Sequence, residues 1–152
     1  TQKIIQNNPN LYYVSTHQFP FYPGTGSQLE TGEYNNVLNI PLSFGVGSIE
    51  YRKIFDNVVF PFIEKLNADI LIISAGFDAH KLDPLAGIML ETNDFSYMIR
   101  RLKIIHSKIL LGFLSLCLLP AYTRIGTRQS LLLRLIYILQ KLARLASTSV
   151  TQ

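Results

Sequence analysis

Two periods of hydrophobic and polar positions alternate along the chain. Residues 2 to 7 read as the end of a helix, stopped by the turn cluster Asn7-Asn8-Pro9-Asn10. Leu11 to Thr16 is a short run of aromatic and β-branched residues, and Val37 to Leu42 is a second such run; both predict strands. Between them, from His17 to Gly32, lies a loop rich in Pro, Gly and rings. Helical spacing returns after Ser48, which is placed to cap a helix from Ile49 to about Asn67. Its apolar positions are Ile54, Val58, Val59, Phe62, Ile63 and Leu66.

Ile70-Leu71-Ile72-Ile73 then forms an unbroken apolar run, the pattern of a strand buried on both faces in a parallel sheet. His80 to Leu90 is a loop, and Thr92, with Asp94 close behind, starts a helix to about His106. Ile109 to Leu119 is an apolar run of eleven residues, too short for a bilayer and read as another strand. Strand and helix in this alternation mean right-handed crossovers and a mainly parallel α/β sheet flanked by helices. Ser130 to Leu145 carries Leu132, Leu135, Ile136, Leu139 and Leu142 on one broad face, as a helix covering the sheet would.

Composition sharpens this in two places. The 152 residues are 48% hydrophobic and 16% charged, which excludes a disordered chain and suits one domain with a real core. The single cysteine, Cys117, excludes an internal disulfide framework and fits a reducing, cytoplasmic setting, as does the missing signal-type apolar stretch near Thr1. No Cys/His group has zinc-finger spacing, and His17, His80 and His106 are scattered. Charge is split: residues 1–94 hold five Lys/Arg and all ten Asp/Glu, whereas 95–152 hold nine Lys/Arg and no acid. A basic segment over residues 124–145 allows an alternative function, an interaction module on a membrane surface or nucleic acid. Its basic residues are interspersed with leucines and carry no nucleic-acid motif, so neither partner is clear.

Candidate chemistry gathers at the end of the third strand. Ser74-Ala75-Gly76 allows a sharp turn and a close approach, and Asp78 follows at the strand's carboxyl end, where open α/β sheets place ligands. That carboxylate is either a helix cap or a metal or catalytic ligand. The loop Phe19-Pro20-Phe21-Tyr22-Pro23-Gly24 is either pinned on the core by its rings or an apolar wall of a site.

Ser15-Thr16-His17, Phe21-Tyr22-Pro23-Gly24-Thr25-Gly26, Ser74-Ala75-Gly76-Phe77-Asp78-Ala79 and Asp83-Pro84-Leu85 together resemble the zinc-dependent histone deacetylase superfamily. The nearest branch holds class II deacetylases, acetoin-utilisation proteins and acetylpolyamine amidohydrolases. The likeness runs in order from Thr1 to about Cys117 and implies an arginase/deacetylase-like fold that hydrolyses an acetyl-lysine or acetylated amine. It implies that zinc is held by Asp, His and Asp, with Asp78 as the second aspartate. It places Tyr22 and Leu85 in the acyl channel, Ser15 at a potassium site beside the zinc, and His17 close by. His80 falls in a variable, solvent-facing position, and His106 is a structural group at a helix end.

Two departures limit the carry-over. The family's Asp-x-Asp-x-His-His-Gly-Asn-Gly segment, source of the other Asp and His zinc ligands, is not among these residues, nor are its tandem histidines. One carboxylate does not hold catalytic zinc, which needs about three protein ligands. Where the family has Glu-Gly-Gly-Tyr, this chain has Leu119-Pro120-Ala121-Tyr122, leaving Tyr122 only a weak match to the oxyanion-stabilising tyrosine. The expectation is therefore a partial deacetylase-like domain over 1–117, lacking its N-terminal half, followed by a divergent basic, Leu-rich segment over 118–152. A reading-frame change near codon 118 accounts for the second segment, and such a chain is inactive alone unless the missing half is supplied in trans.

Overall fold

The computed structural model describes residues 1–21 and 24–113, with side chains through residue 110. The readings for Tyr22, Cys117, Tyr122, the strand beyond residue 113 and the segment 118–152, including its helix and basic module, lie outside the described residues.

The elements are α1 (Gln2–Ile5), β1 (Tyr13–Gln18), β2 (Val37–Leu42), α2 (Ser48–Ile54), a π-helical segment (Phe55–Val59), α3 (Phe60–Leu66), β3 (Leu71–Ala75), α4 (Thr92–Ile105) and β4 (Ile109–Phe113). Two parallel pairs result, β1 with β2 and β3 with β4. β3 and β4 are joined through α4, whereas β1 and β2 are joined by a stretch in which no helix is described, and the fold is α/β with parallel strands flanked by helices. The structure places β1 two residues later than the sequence pattern does. His17 and Gln18, polar and so read as loop, continue the ladder opposite Pro41 and Leu42.

The long helix departs from its expected phase. A turn with the wider i→i+5 bond, from the N–H of Phe60 to the carbonyl of Phe55, sits just before Pro61, which has no N–H to give. The extra residue rotates the buried face, so that Tyr51, Phe55, Val59, Phe60 and Ile63 carry the core while Val58 is exposed. Tyr51 stacks on Phe55 at 5.1 Å, and Phe60 meets Phe55 edge-on at 5.4 Å. From the other side α4 contributes Phe95, Met98, Ile99 and Leu102 to the same cluster.

The reading of β3 as buried on both faces is corrected. Leu71, Ile73 and Ala75 pack against the core. Ile70, Ile72 and, on β4, Leu110 are 59%, 67% and 62% exposed. The physical reason is that no described element lies over that face.

One buried ionic knot ties α2 to α4. Asp94, fully buried, accepts hydrogen bonds from Ser48 Oγ at 2.6 Å, Arg52 Nε at 2.6 Å and the backbone N–H of Glu91 at 2.7 Å. Burial pushes the Asp94 carboxyl up, but these donors outweigh it and hold it below its ordinary value. Ser48 is thus the first residue of α2, with Gly47 at its N-cap, and its hydroxyl serves α4 instead. At the other end of the fold, Asn36 Nδ2 donates to the carbonyls of Ile5, Asn8 and Leu11 at 2.8–3.0 Å, locking the N-terminal turn onto β2.

Candidate metal and substrate site

The carboxyl ends of β1 and β3 open onto one cavity of about 650 Å³. Its strand walls include Thr16, His17 and Gly76, its rim Phe21, Asp78 and Leu85, and its floor the apolar side chains of α2 and α4. The size is that of a small-molecule pocket. Thr16 is tied to the floor by a 2.6 Å bond with the Tyr51 hydroxyl, whose pKa burial pushes up.

His17 and Ser15 sit at the tip of β1 and are joined, Ser15 Oγ lying 3.1 Å from His17 Nδ1. The other ring nitrogen donates to the Gly26 carbonyl at 2.9 Å, so in the neutral ring Nδ1 accepts from the serine hydroxyl. Gly26 is required here. Its φ is +93°, and a Cβ would stand 2.5 Å from His17 Nε2. The loop that brings Gly26 under the ring is held by Glu30, which accepts from the N–H groups of Gly26 and Ser27 and from Gln2 Nε2. The Ser27 N–H first, then Gln2, lower the Glu30 pKa. Sequence reasoning passed over Glu30, and its only local signal is an acid three and four residues after two glycine-turn N–H groups.

Asp78 is exposed at the cavity mouth, on the turn that leaves β3. Gly76 makes room for it: a Cβ there would lie 2.8 Å from Asp78 Oδ1. Leu85, half exposed, is presented by Asp83, whose Oδ1 accepts the Leu85 N–H at 2.9 Å. Of the aromatic loop, Phe19 and Phe21 remain 37% and 51% exposed, and Phe21 faces the cavity. Phe21 therefore lines the cavity instead of anchoring in the core.

His17, Asp78 and Leu85 thus meet at one cavity; Ser15 stands one bond behind His17. His80 is corrected from solvent-facing to half-buried. Its Nδ1 accepts from the Leu82 N–H at 3.2 Å, and its ring stacks over Phe95 at 6.3 Å. His106 ends α4, donating from Nε2 to the Ala68 carbonyl at 2.6 Å and accepting the Lys108 N–H at Nδ1. Among the described residues no three His, Cys, Asp or Glu side chains come together as a metal-binding set. Asp78 contributes one carboxylate, and by itself this arrangement does not fit a zinc ion.

Crevice, parallel strands and small-residue strand end define an α/β domain with a ligand-sized cavity at its strand ends, and the comparisons narrow it. The histone deacetylase domain model matches residues 1–116. The chain belongs to the histone deacetylase family. It is 44% identical over 98 residues to the Synechocystis sp. protein slr0245, covering 64% of this chain and 32% of that one. It is 40% identical over 99 residues to the chloroplastic histone deacetylase 10 of Oryza sativa, covering 63% and 22%. Among solved structures, the HDA15 HD domain superposes with a TM-score of 0.70 at 35% identity, covering 74% of this chain and 34% of that one. The deacetylase Clr3 gives 0.71 at 32% identity, covering 74% and 21%. The chain spans about a third or less of the length of each of these relatives.

Proposed function

We propose that this chain carries one share of a zinc-dependent amide-hydrolysing site acting on acetyl-lysine or an acetylated polyamine, and that it is inactive alone. The observation that carries this is Asp78, held at the mouth of the β1/β3 cavity in a chain whose residues 1–116 match the deacetylase domain. Zinc, when held, would polarise the acetyl carbonyl and activate water. Asp78 would supply one of its carboxylate ligands, and the family's other Asp and His ligands would have to be added to these residues. Phe21 and Leu85 form the apolar wall that takes the acyl chain, and the resemblance adds Tyr22 to that channel. Ser15 would offer a hydroxyl oxygen to a potassium ion, its hydroxyl standing 3.1 Å from His17 Nδ1. Residues 1–117 form the deacetylase-like unit and 118–152 a separate segment, in a cytoplasmic setting consistent with the lone Cys117.

The test is a chimera in which the matched residues of the Synechocystis relative are replaced by those of this chain. Acetate release from an acetyl-lysine peptide or acetylputrescine is expected from the chimera with zinc, not from the 152-residue chain. Asp78→Asn in the chimera should lower turnover by at least about a hundredfold and weaken zinc retention on dialysis. Full turnover and zinc retention in that variant would refute the role of Asp78.

A further inference from the structure

The two apolar residues on the cavity rim come from different pieces of chain. Phe21 follows the end of β1 by three residues, and Leu85 lies in the loop that leaves β3. The bonds that shape the Leu85 loop are local: His80 Nδ1 accepts the Leu82 N–H, and Asp83 Oδ1 accepts the Leu85 N–H. Local bonds fix the form of the loop and leave its distance from β1 open. That distance is set two residues further on. Gln18, the last residue of β1, accepts the Gly87 N–H at Oε1 over 2.6 Å, across 69 positions of sequence. The Gly87 carbonyl takes the Gly45 N–H at 2.7 Å, so Gly87 is held from two sides. Of these two holds, only the one from Gln18 is made by a side chain, half-buried and lining the cavity.

We infer that Gln18 is a specificity-determining residue: through Gly87 it sets the gap between Phe21 and Leu85, and so the girth of the acyl group that the cavity admits. The inference rests on the acyl-channel reading of this cavity. Gln18 lies three residues before Phe21 and Gly87 two residues after Leu85, so one hydrogen bond closes the span between the two walls. Two or three residues of chain reach at most about 7–11 Å, which keeps both side chains close to that bond. Both walls are apolar and choose between acyl groups by shape alone, which demands that their spacing be held. Without the Gln18 acceptor the Gly87 N–H turns to water at the cavity mouth, while the bond from Gly45 keeps the loop in the fold. The loop then relaxes outward and the gap widens. A neutral hydrogen bond has a modest net contribution, so the selectivity it carries is about three- to tenfold.

The test uses the chimera with the Synechocystis relative and the full 152-residue chain. Binding of fluorescent acetyl-lysine and pivaloyl-lysine peptides to the chimera is read by anisotropy, with zinc omitted so that no turnover intervenes. Gln18→Leu is expected to shift the ratio of the two affinities by about three- to tenfold toward the branched pivaloyl group. Gln18→Glu, which keeps an acceptor oxygen at the same reach, should restore the parent ratio. In the full chain the Gly87 amide should exchange about tenfold faster in Gln18→Leu, with the β3–β4 amides unchanged. A general loss of packing weakens both peptides in the same proportion, and that result would overturn the inference. An unchanged Gly87 exchange rate would overturn it too, as would a parent chimera that binds neither peptide. A parent chimera that binds the acetyl-lysine peptide but releases no acetate with zinc counts against the proposed activity, and the affinity ratio still decides the role of Gln18.

Discussion

Replacing Asp94 by Ala tests whether the buried carboxylate holds α2 and α4 together. The substitution leaves Ser48 Oγ, the Arg52 guanidinium and the Glu91 N–H without their acceptor. Hydrogen bonds to a charged group contribute about 1.5–3 kcal/mol each, but they are not additive. The Arg52 side chain, 39% exposed, regains water on losing its partner and keeps its place 4.9 Å over the Tyr97 ring. The discounted cost is about 2–4 kcal/mol, below the usual penalty for breaking a fully buried pair. Urea unfolding of the dilute chain, followed by far-UV circular dichroism at pH 7, should show the midpoint falling by about 1 M or more. The pH dependence gives a second arm. Asp94 is held below its ordinary value near 3.8, so the stability it adds is fully present above that value and is lost as pH falls through the folded one. Asp94→Asn should remove that component of acid destabilisation. A midpoint within about 0.3 M of the parent for Asp94→Ala, or an unchanged acid limb for Asp94→Asn, would refute the reasoning.

Gly26→Ala should cost about 1–3 kcal/mol in the same assay, because it combines a left-handed backbone with a clash on the His17 ring. Gly87→Ala is the contrast: its Cβ would meet the Phe44 ring at 2.0 Å, but Phe44 is 80% exposed and swings aside, so less than about 1 kcal/mol is expected. The exposed Ile70, Ile72 and Leu110 together with two strand edges predict self-association. Light scattering should report aggregates in the micromolar range that diminish in Ile72→Lys, and a sharp, cooperative thermal transition from a soluble monomer would contradict this.

Period and turn chemistry were enough for much of the fold. Val37–Leu42 is a strand to the residue as the pattern reads, and α4 ends within one residue of expectation. The errors have physical causes. A strand boundary judged by polarity stops short where backbone pairing continues, as at His17 and Gln18. A helical period assumes 3.6 residues per turn, and the wider turn before Pro61 breaks that assumption, exposing Val58 and burying Phe60. The apolar run of β3 states that both faces could be buried, not that both are covered. His17, Asp78 and Leu85, which meet at the cavity, were singled out by motif likeness; periodicity alone left Asp78 between cap and ligand. The groups that hold the site in place were not legible, because their partners are distant in sequence. Ser48 and Asp94 are separated by 46 positions and Gln2 and Glu30 by 28, and no local pattern announces either bond.

The separation of the two strand pairs has a mechanical consequence. His17 rides on one pair and Asp78 on the other, and no described ladder bond spans them. Those two tips are linked by helix packing through Tyr51, Phe55 and Phe95 and by the Gly87 N–H donated to Gln18 Oε1 at 2.6 Å. A coordination site must hold its ligands to within a few tenths of an ångström. The spacing of the two tips thus depends in part on side chains far from either strand end, so a substitution in that packing would be felt at the cavity mouth.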